Sequence, residues 1–321
     1  MIKILSIGAA VQDVFLSHSH ELRPVSDKTA DELFIKIELG SKNDVNNINF
    51  STGGGATNAA VTFARQGLHS QFMGTIAHDP AGAAVIAELD KEAVDTTHVS
   101  YSDKYNTGYS VVLLASNGER SFLTYRGAST HYDIKNFDLS NASADWLYVS
   151  SMAGGVDILD KIFHQAKQLS MKVFFNPGKD ELKKTDKLRA LLEDVDVLSV
   201  NREEAQQIVN GEDLEELVRR LTNLVPTVIV SDGPNGVMAS DCKTIVRAGM
   251  YEDVPVIDRT GAGDAFGSGF LSYWAAGRSL KDSIVFASAN STSVVTKIGA
   301  KAGILHKNVT LHAMPLSEKP F

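Results

Sequence analysis

The feature that most constrains this chain is a rhythm in its second half. Short, almost wholly apolar runs alternate there with stretches of helical spacing. Trp146 to Val149, Val173 to Phe175, Val195 to Val200 and Thr227 to Val230 are too short for helices and too apolar for strands with a solvated face. Between them, Ile158, Ile162 and Ala166 share one face of the segment Asp157 to Leu169, and Leu214, Leu217 and Leu221 share one face of a later segment. Strands buried on both sides and separated by helices predict a largely parallel sheet with helices packed on each face. Ile2 to Ile7, apolar at nearly every position and ending at Gly8, reads as a further strand of the same kind.

Two regions break the rhythm. Val11 to Asn49 is long and polar, and within it Phe34 to Leu39 alternates apolar with charged residues, the pattern of a strand with one wet face. In the second region, Tyr109 to Leu114 and Arg120 to Tyr125 flank Ser116-Asn-Gly118, which predicts a β-hairpin. The two pieces either pair into a small separate sheet or extend an edge of the main one; periodicity leaves both open. The expected division is a core of residues 1–10, 51–103 and 127–321, with a β-sheet lid of residues 11–50 and 104–126.

Composition narrows the function. The chain has 321 residues, 43% of them hydrophobic, with 31 Lys and Arg against 39 Asp and Glu, a formal net charge of −8. No basic stripe is present to follow a phosphate backbone, so nucleic acid is not an expected partner. The single cysteine, Cys242, excludes an internal disulfide and reads as a packing or surface residue. No apolar run reaches the roughly 20 residues of a membrane helix, and Met1 to Gly8 lacks the length of a signal peptide, so a cytoplasmic protein is expected. His18 and His20 alternate on one side of a strand-like stretch but have no third ligand in view, and read as solvated residues rather than a metal site.

The most informative segment is Asp258-Arg-Thr-Gly-Ala-Gly-Asp264. It follows Val254 to Ile257, a β-like run broken by Pro255, and leads into a helix-spaced stretch from Ala265 to Ala276. A helix start presents amide groups without partners and a partial positive charge, and glycines let an anion approach the backbone. An acid placed beside such an anion nest has a use if it takes a proton from an attacking hydroxyl. The plainer alternative is that Asp264 complements the helix dipole and the glycines permit close packing. A second glycine-opened helix start, Ser51-Thr-Gly-Gly-Gly-Ala-Thr-Asn58, carries Asn58, whose amide both donates and accepts and so suits hydroxyls better than phosphates. A lone Asn there is also a common cap. No P-loop motif exists, and Phe266 stands where a dinucleotide fingerprint needs its third glycine.

Together, Gly53-Gly-Gly-Ala-Thr-Asn58 and Asp258-x-Thr-Gly-Ala-Gly-Asp264 resemble the two signatures of the ribokinase-like, or PfkB, carbohydrate kinases, in the same order. The likeness runs along essentially the whole chain, through Gly8 and Asp13, Asn201-Arg-Glu-Glu204 and Ser231-Asp-Gly-Pro-Asn-Gly236. It implies a three-layer α/β/α fold with a small β lid. It also implies an ATP-dependent transfer of a phosphoryl group to the primary hydroxyl of a small sugar of the ribokinase or fructokinase kind. A nucleoside kinase of the same family, and a sugar-binding regulatory protein without catalysis, are the alternatives.

Residue by residue, the resemblance makes Asp264 the general base and Gly261, Ala262 and Gly263 the anion hole. It gives Asp13, Gly53, Gly54 and Asn58 to the substrate. Arg126, in Thr124-Tyr-Arg-Gly-Ala128, would meet a substrate carboxylate or hydroxyl, or else pair with a surface acid. Asn201 and Glu204 match the motif that places magnesium and phosphates, with Glu204 acting on Mg2+ through water; an Asn cap with a capping-box Glu is the plain reading of the same pair. Ser231, Gly233 and Gly236 match the nucleotide turn, and Asn290 would lie near the adenine. Asp258 and Thr260 correspond to a monovalent-cation site of some members, which leaves potassium open. Arg259 replaces a usually small residue; it would either help neutralise phosphate charge or face solvent, and solvent is the favoured reading. Relatives dimerise through their lid sheets, so a homodimer is expected.

Overall fold

The computed structural model describes residues 1–17, 24–27, 32–115, 119–249 and 254–321. The chain opens with β1 (Lys3–Ile7), β2 (Val11–Ser17), β3 (Val25–Asp27), β4 (Glu32–Phe34) and β5 (Asn47–Gly53). It continues through α1 (Gly55–Arg65), β6 (His69–Ala77), α2 (Pro80–Lys91), β7 (Asp95–Ser102), β8 (Gly108–Leu114), β9 (Arg120–Tyr125) and β10 (Trp146–Val149). Then follow α3 (Val156–Gln168), β11 (Lys172–Phe175), α4 (Lys179–Leu182), α5 (Thr185–Leu191), β12 (Val197–Asn201), α6 (Arg202–Ile208), α7 (Leu214–Leu221) and β13 (Thr227–Ser231). The last part holds β14 (Val237–Ser240), β15 (Thr244–Ala248), α8 (Ala262–Ala275), α9 (Leu280–Val295) and β16 (Leu316–Pro320).

The central sheet has ten strands in the order β16-β15-β14-β13-β12-β11-β10-β1-β6-β7. From β13 to β7 all neighbours run parallel, as the alternating apolar runs predict. The far edge departs from that expectation: β14, β15 and β16 are antiparallel; β14 and β15 follow β13 by direct reversals of the chain, and β16 comes back to β15 from the C-terminal segment after α8 and α9.

Alternation along the strands divides the interior in two. Leu5, Leu147, Val149 and Leu198 pack with Ile158, Ile162 and Leu217 on one face of the sheet. Ile4, Trp146, Tyr148 and Val197 pack with Phe63, Phe270 and Ile284 on the other. This is a three-layer α/β/α architecture, in which each fully buried Leu, Ile or Phe contributes about 1.5–3 kcal/mol of transfer free energy. No helix among the described residues is long and apolar enough to cross a membrane.

The pieces outside the rhythm form a separate four-stranded sheet, β5-β2-β8-β9, rather than an extension of the main one. The hairpin is antiparallel, with Ser110 opposite Thr124 and Leu114 opposite Arg120. Its partner is not Phe34 to Leu39, however. That stretch is strand only to Phe34, in a two-stranded pair with β3, and then leaves regular structure before a turn at Leu39 and Gly40. Ile37 and Leu39 are exposed, so the alternation has no core to bury its apolar face. The strand that joins the hairpin is β2, in parallel with β8. Nor is Val254 to Ile257 a strand; with Pro255 lacking an N–H, it runs as irregular backbone, and the Ile257 amide bonds to the Val295 carbonyl. His18, His20 and the turn Ser116-Asn117-Gly118 lie outside the described residues.

Candidate active site

Parallel strands of one sheet deliver their carboxyl ends to a common edge, and that edge is where such folds hold ligands. Here β1 ends at Ile7, β10 at Val149, β12 at Asn201 and β13 at Ser231, and helices α1 and α8 begin over the same edge.

The two glycine-opened helix starts meet there. Asn58, in the first turn of α1, donates from Nδ2 to Oδ2 of Asp264, in the first turn of α8, at 2.8 Å. Asn58 Oδ1 is buried and accepts no hydrogen bond, so an unsatisfied acceptor stands beside the carboxylate. Gly54 allows the turn into α1: its φ is +100°, and a Cβ there would stand 2.3 Å from the Ala9 carbonyl oxygen. Gly261 does the same for α8, with φ +78° and Ala300 packed against it. Gly263 is different, since nothing beyond its chain neighbours and its own helix backbone lies within 4 Å of where its Cβ would be. Among the described residues the amides of Gly263 and Asp264 have no acceptor, whereas Ala262 bonds to the Arg259 carbonyl. Two uncommitted amides at a helix N-terminus, beside the open space at Gly263, fit a phosphate.

Burial pushes the Asp264 carboxyl above the usual carboxylate range, against the Asn58 hydrogen bond and the charge of Lys301. Asp13, on β2, is buried, and burial raises it likewise, opposed by a hydrogen bond from Ser110 and by Lys301. Gly53 lies directly against it: a Cβ there would stand 2.2 Å from Asp13 Oδ2. The structure therefore brings Asp13, Gly53, Gly54, Asn58, Gly261, Ala262, Gly263 and Asp264 to one place.

At the neighbouring strand ends, Asn201 caps α6 in a capping box: its Oδ1 accepts from the Glu204 amide and Glu204 Oε2 accepts from the Asn201 amide, both at 2.9 Å. Burial raises the Glu204 carboxyl. Ser231 ends β13, and Gly233 and Gly236 form the turn that follows, with φ +51° and +92° and open space at Gly233.

Three further predicted positions have charged or hydrogen-bonding partners within the chain. Asn290 is fully buried, donates to the Ala265 carbonyl and accepts from the Leu305 amide, so its side chain is spent on joining α8, α9 and the C-terminal segment. Arg126 is exposed with Asp180 as a charged neighbour, and no hydrogen bond among the described residues ties it to Asp13, Asn58 or Asp264. Asp258 is filled by its own chain: Oδ1 accepts from the Thr260 amide and hydroxyl, Oδ2 from the Gly299 amide, and Arg120 Nε lies 3.7 Å away. Arg259 is exposed, as expected.

Sequence reasoning missed two cations. Arg120 reaches Asp258 from β9, and Lys301 is 3% exposed beneath the first glycine turn. The signal for Lys301 was a single lysine inside the small, apolar run Ile298-Gly-Ala-Lys-Ala-Gly-Ile304.

The likenesses to known proteins agree with this geometry. The chain is 28% identical to the ribokinase of Haemophilus influenzae over 277 residues, 83% of this chain and 88% of that protein. It is 31% identical to a fructokinase of Klebsiella pneumoniae, covering 70% of this chain and 77% of the other. The fold matches a ribokinase of Cryptococcus neoformans in complex with ADP at a TM-score of 0.75 and 22% identity, over 96% of this chain and 98% of that one. A Methanocaldococcus jannaschii nucleoside kinase matches equally well in fold, with a TM-score of 0.75, 20% identity and 95% coverage of both chains. The family model of the pfkB carbohydrate kinases aligns with residues 24–307, so this chain belongs to the PfkB family of carbohydrate kinases and is a sugar phosphotransferase.

Proposed function

We propose that the chain transfers the γ-phosphoryl group of ATP to the primary hydroxyl of a small sugar of the ribokinase or fructokinase kind, with Asp264 as general base. The observation that carries this reading is the N-terminus of α8, where a carboxylate oriented by Asn58 stands beside two uncommitted amides. The acceptor hydroxyl gives its proton to Asp264 as its oxygen attacks the γ-phosphorus; the new O–P bond forms as the bond to the ADP oxygen breaks. The turn Gly261-Ala262-Gly263 stabilises charge on the migrating group. The unsatisfied Oδ1 of Asn58 and the carboxylate of Asp13 orient sugar hydroxyls, with Gly53 and Gly54 allowing close approach.

The nucleotide is held by Ser231, Gly233 and Gly236, with Asn201 and Glu204 near its phosphates. Magnesium arriving with the nucleotide supplies charge neutralisation, and Glu204 would hold it through water. Asp258 meets its charge within the chain, so no step is assigned to a monovalent cation.

The second sheet acts as the lid in this reading. Asp13, Ser110 and Thr124 align across β2, β8 and β9, and Arg120 on the same face reaches the loop before α8. The opposite face carries Ile48, Phe50 and Leu123, which are 49%, 65% and 64% exposed and stand opposite Leu16, Val14 and Val111. An apolar sheet face of this kind supports pairing with a second copy.

The deciding experiment measures ADP release from ATP and Mg2+ with ribose, fructose, keto-deoxy-gluconate, adenosine, cytidine and inosine, with Asp264→Asn alongside. A sugar hit that vanishes in the variant is expected. Activity confined to the nucleosides would replace the sugar with a nucleoside, and tight sugar binding without phosphorylation would favour a regulatory protein.

A further inference from the structure

Lys301 places an ammonium group in the interior, 3% exposed. Its Nζ donates to the Thr52 carbonyl at 2.7 Å, the Thr52 hydroxyl at 3.0 Å and the Thr57 hydroxyl at 2.9 Å. All three acceptors are neutral. Burying a cation among neutral acceptors is costly unless negative charge nearby offsets it, and a neutral side chain would satisfy the packing at less cost. The carboxylates that face it come from several directions: Asp13 on β2, Glu88 on α2, Glu92 just after α2 and Asp264 on α8.

The hydrogen bonds decide which of these matter to the chemistry. Thr52 and Thr57 bracket Gly53, Gly54 and Gly55, and the Thr57 hydroxyl donates onward to the Gly53 carbonyl at 2.7 Å. The Gly53 end of that turn lies against Asp13 Oδ2, and a Cβ on Gly55 would stand 3.1 Å from Asp264 Oδ1. One turn thus supports both carboxylates of the site, and the ammonium holds it from behind. The backbone at Lys301 is itself fixed, since Arg65 donates to its carbonyl at 2.9 Å and is paired with Glu92.

We propose that Lys301 is a positioning residue for phosphoryl transfer: its ammonium pins the Thr52–Thr57 turn that spaces Asp13 from Asp264, and its positive charge faces both carboxylates. The inference rests on the reading of Asp264 as the base. Burial brings Lys301 down to about 7, so below neutral pH it is charged, and its charge draws the Asp264 carboxyl down against the burial that raises it.

The test is the pH dependence of kcat/KM, from pH 5 to 9, for wild type, Lys301→Met, Lys301→Gln, Lys301→Arg and Asp264→Asn, using the acceptor identified by the panel. In Lys301→Met the acid limb is expected to move up by about one pH unit or more, with activity recovering toward pH 9. Lys301→Arg, which keeps the charge, should retain a limb near that of wild type. Lys301→Gln keeps donors for the threonines without the charge, and should follow Lys301→Met; it also serves if Lys301→Met does not fold. Limbs that coincide with wild type in the uncharged variants, with Asp264→Asn inactive, would overturn the role of Lys301 and leave the base in place. An Asp264→Asn enzyme with undiminished turnover would overturn both.

Discussion

Asn58 Nδ2 and Asp264 Oδ2 lie 2.8 Å apart, although 206 residues separate them in the chain. That bond ties the first turn of α1 to the first turn of α8 and fixes the direction in which the carboxylate points. Its Oδ1 lies toward Gly55, where a Cβ would stand 3.1 Å away, so only a residue without a side chain leaves that oxygen its place.

Replacing Asp264 by Asn keeps the shape and removes the proposed base. Turnover should fall by about 10²–10⁴-fold, the range of general-base catalysis. Stability should move the other way. Because burial raises the carboxyl, the fold favours its protonated form, and the ionised form opposes folding as pH rises through the folded-state value. Asp264→Asn is therefore expected to raise the melting midpoint by about 2 °C or more at pH 8, with the gain shrinking toward pH 4. Calorimetry across that range tests it, and an unchanged or lower midpoint at pH 8 would count against a burdened carboxylate.

On the proposed mechanism the same raised carboxyl sets the acid side of the activity profile. Activity should be lost as pH falls through a value above 3.8, the ordinary one for Asp, because the base must be ionised to work. Asn58→Asp places a second carboxylate against it and should move that limb up by about one unit or more, with activity partly restored at higher pH. A pH profile of kcat/KM for the two proteins makes the comparison.

Gly261 and Gly263 should separate folding from catalysis. Gly261→Ala puts a Cβ 2.5 Å from that of Ala300 at positive φ and should destabilise the fold by more than about 1 kcal/mol. Gly263→Ala meets no atom within 4 Å beyond its chain neighbours and its own helix backbone and lies inside α8, where alanine is favoured over glycine by about 0.5–1 kcal/mol. It should melt no lower than wild type yet lose turnover by about 10²-fold or more, since the added methyl stands where a phosphoryl group would approach. Full activity in Gly263→Ala would move the anion site elsewhere.

Association can be read directly by light scattering. A dimer built on the outer face of the second sheet predicts twice the 34.6 kDa of one chain. Leu123→Lys, at a position 64% exposed, should return it to 34.6 kDa without loss of fold. A wild-type particle of 34.6 kDa at working concentration would rule out a stable dimer.

Much of the fold was legible because it is encoded locally. A strand covered on both faces must be apolar at successive positions, and a helix packed on one side must repeat its apolar residues at about 3.6, so β1, β10, β11, β12, β13, α3 and α7 can be read without a partner in view. Phe34 to Leu39 failed by the same logic. Alternation records only that one face differs from the other, and without a neighbour or a core the stretch beyond Phe34 has nothing to pair with.

By itself the sequence determined the layered α/β architecture and the two glycine-opened helix starts, because backbone conformation and periodic burial are properties of neighbouring residues. Only the tertiary structure decided what those starts do together. It joined Asn58 to Asp264, set Lys301 behind Thr52 and Thr57, brought Arg120 to Asp258, and closed the amide of Asn290 against backbone. Each is a contact between distant segments, governed by charge and hydrogen-bond satisfaction in a space that exists only once the helices have packed on the sheet.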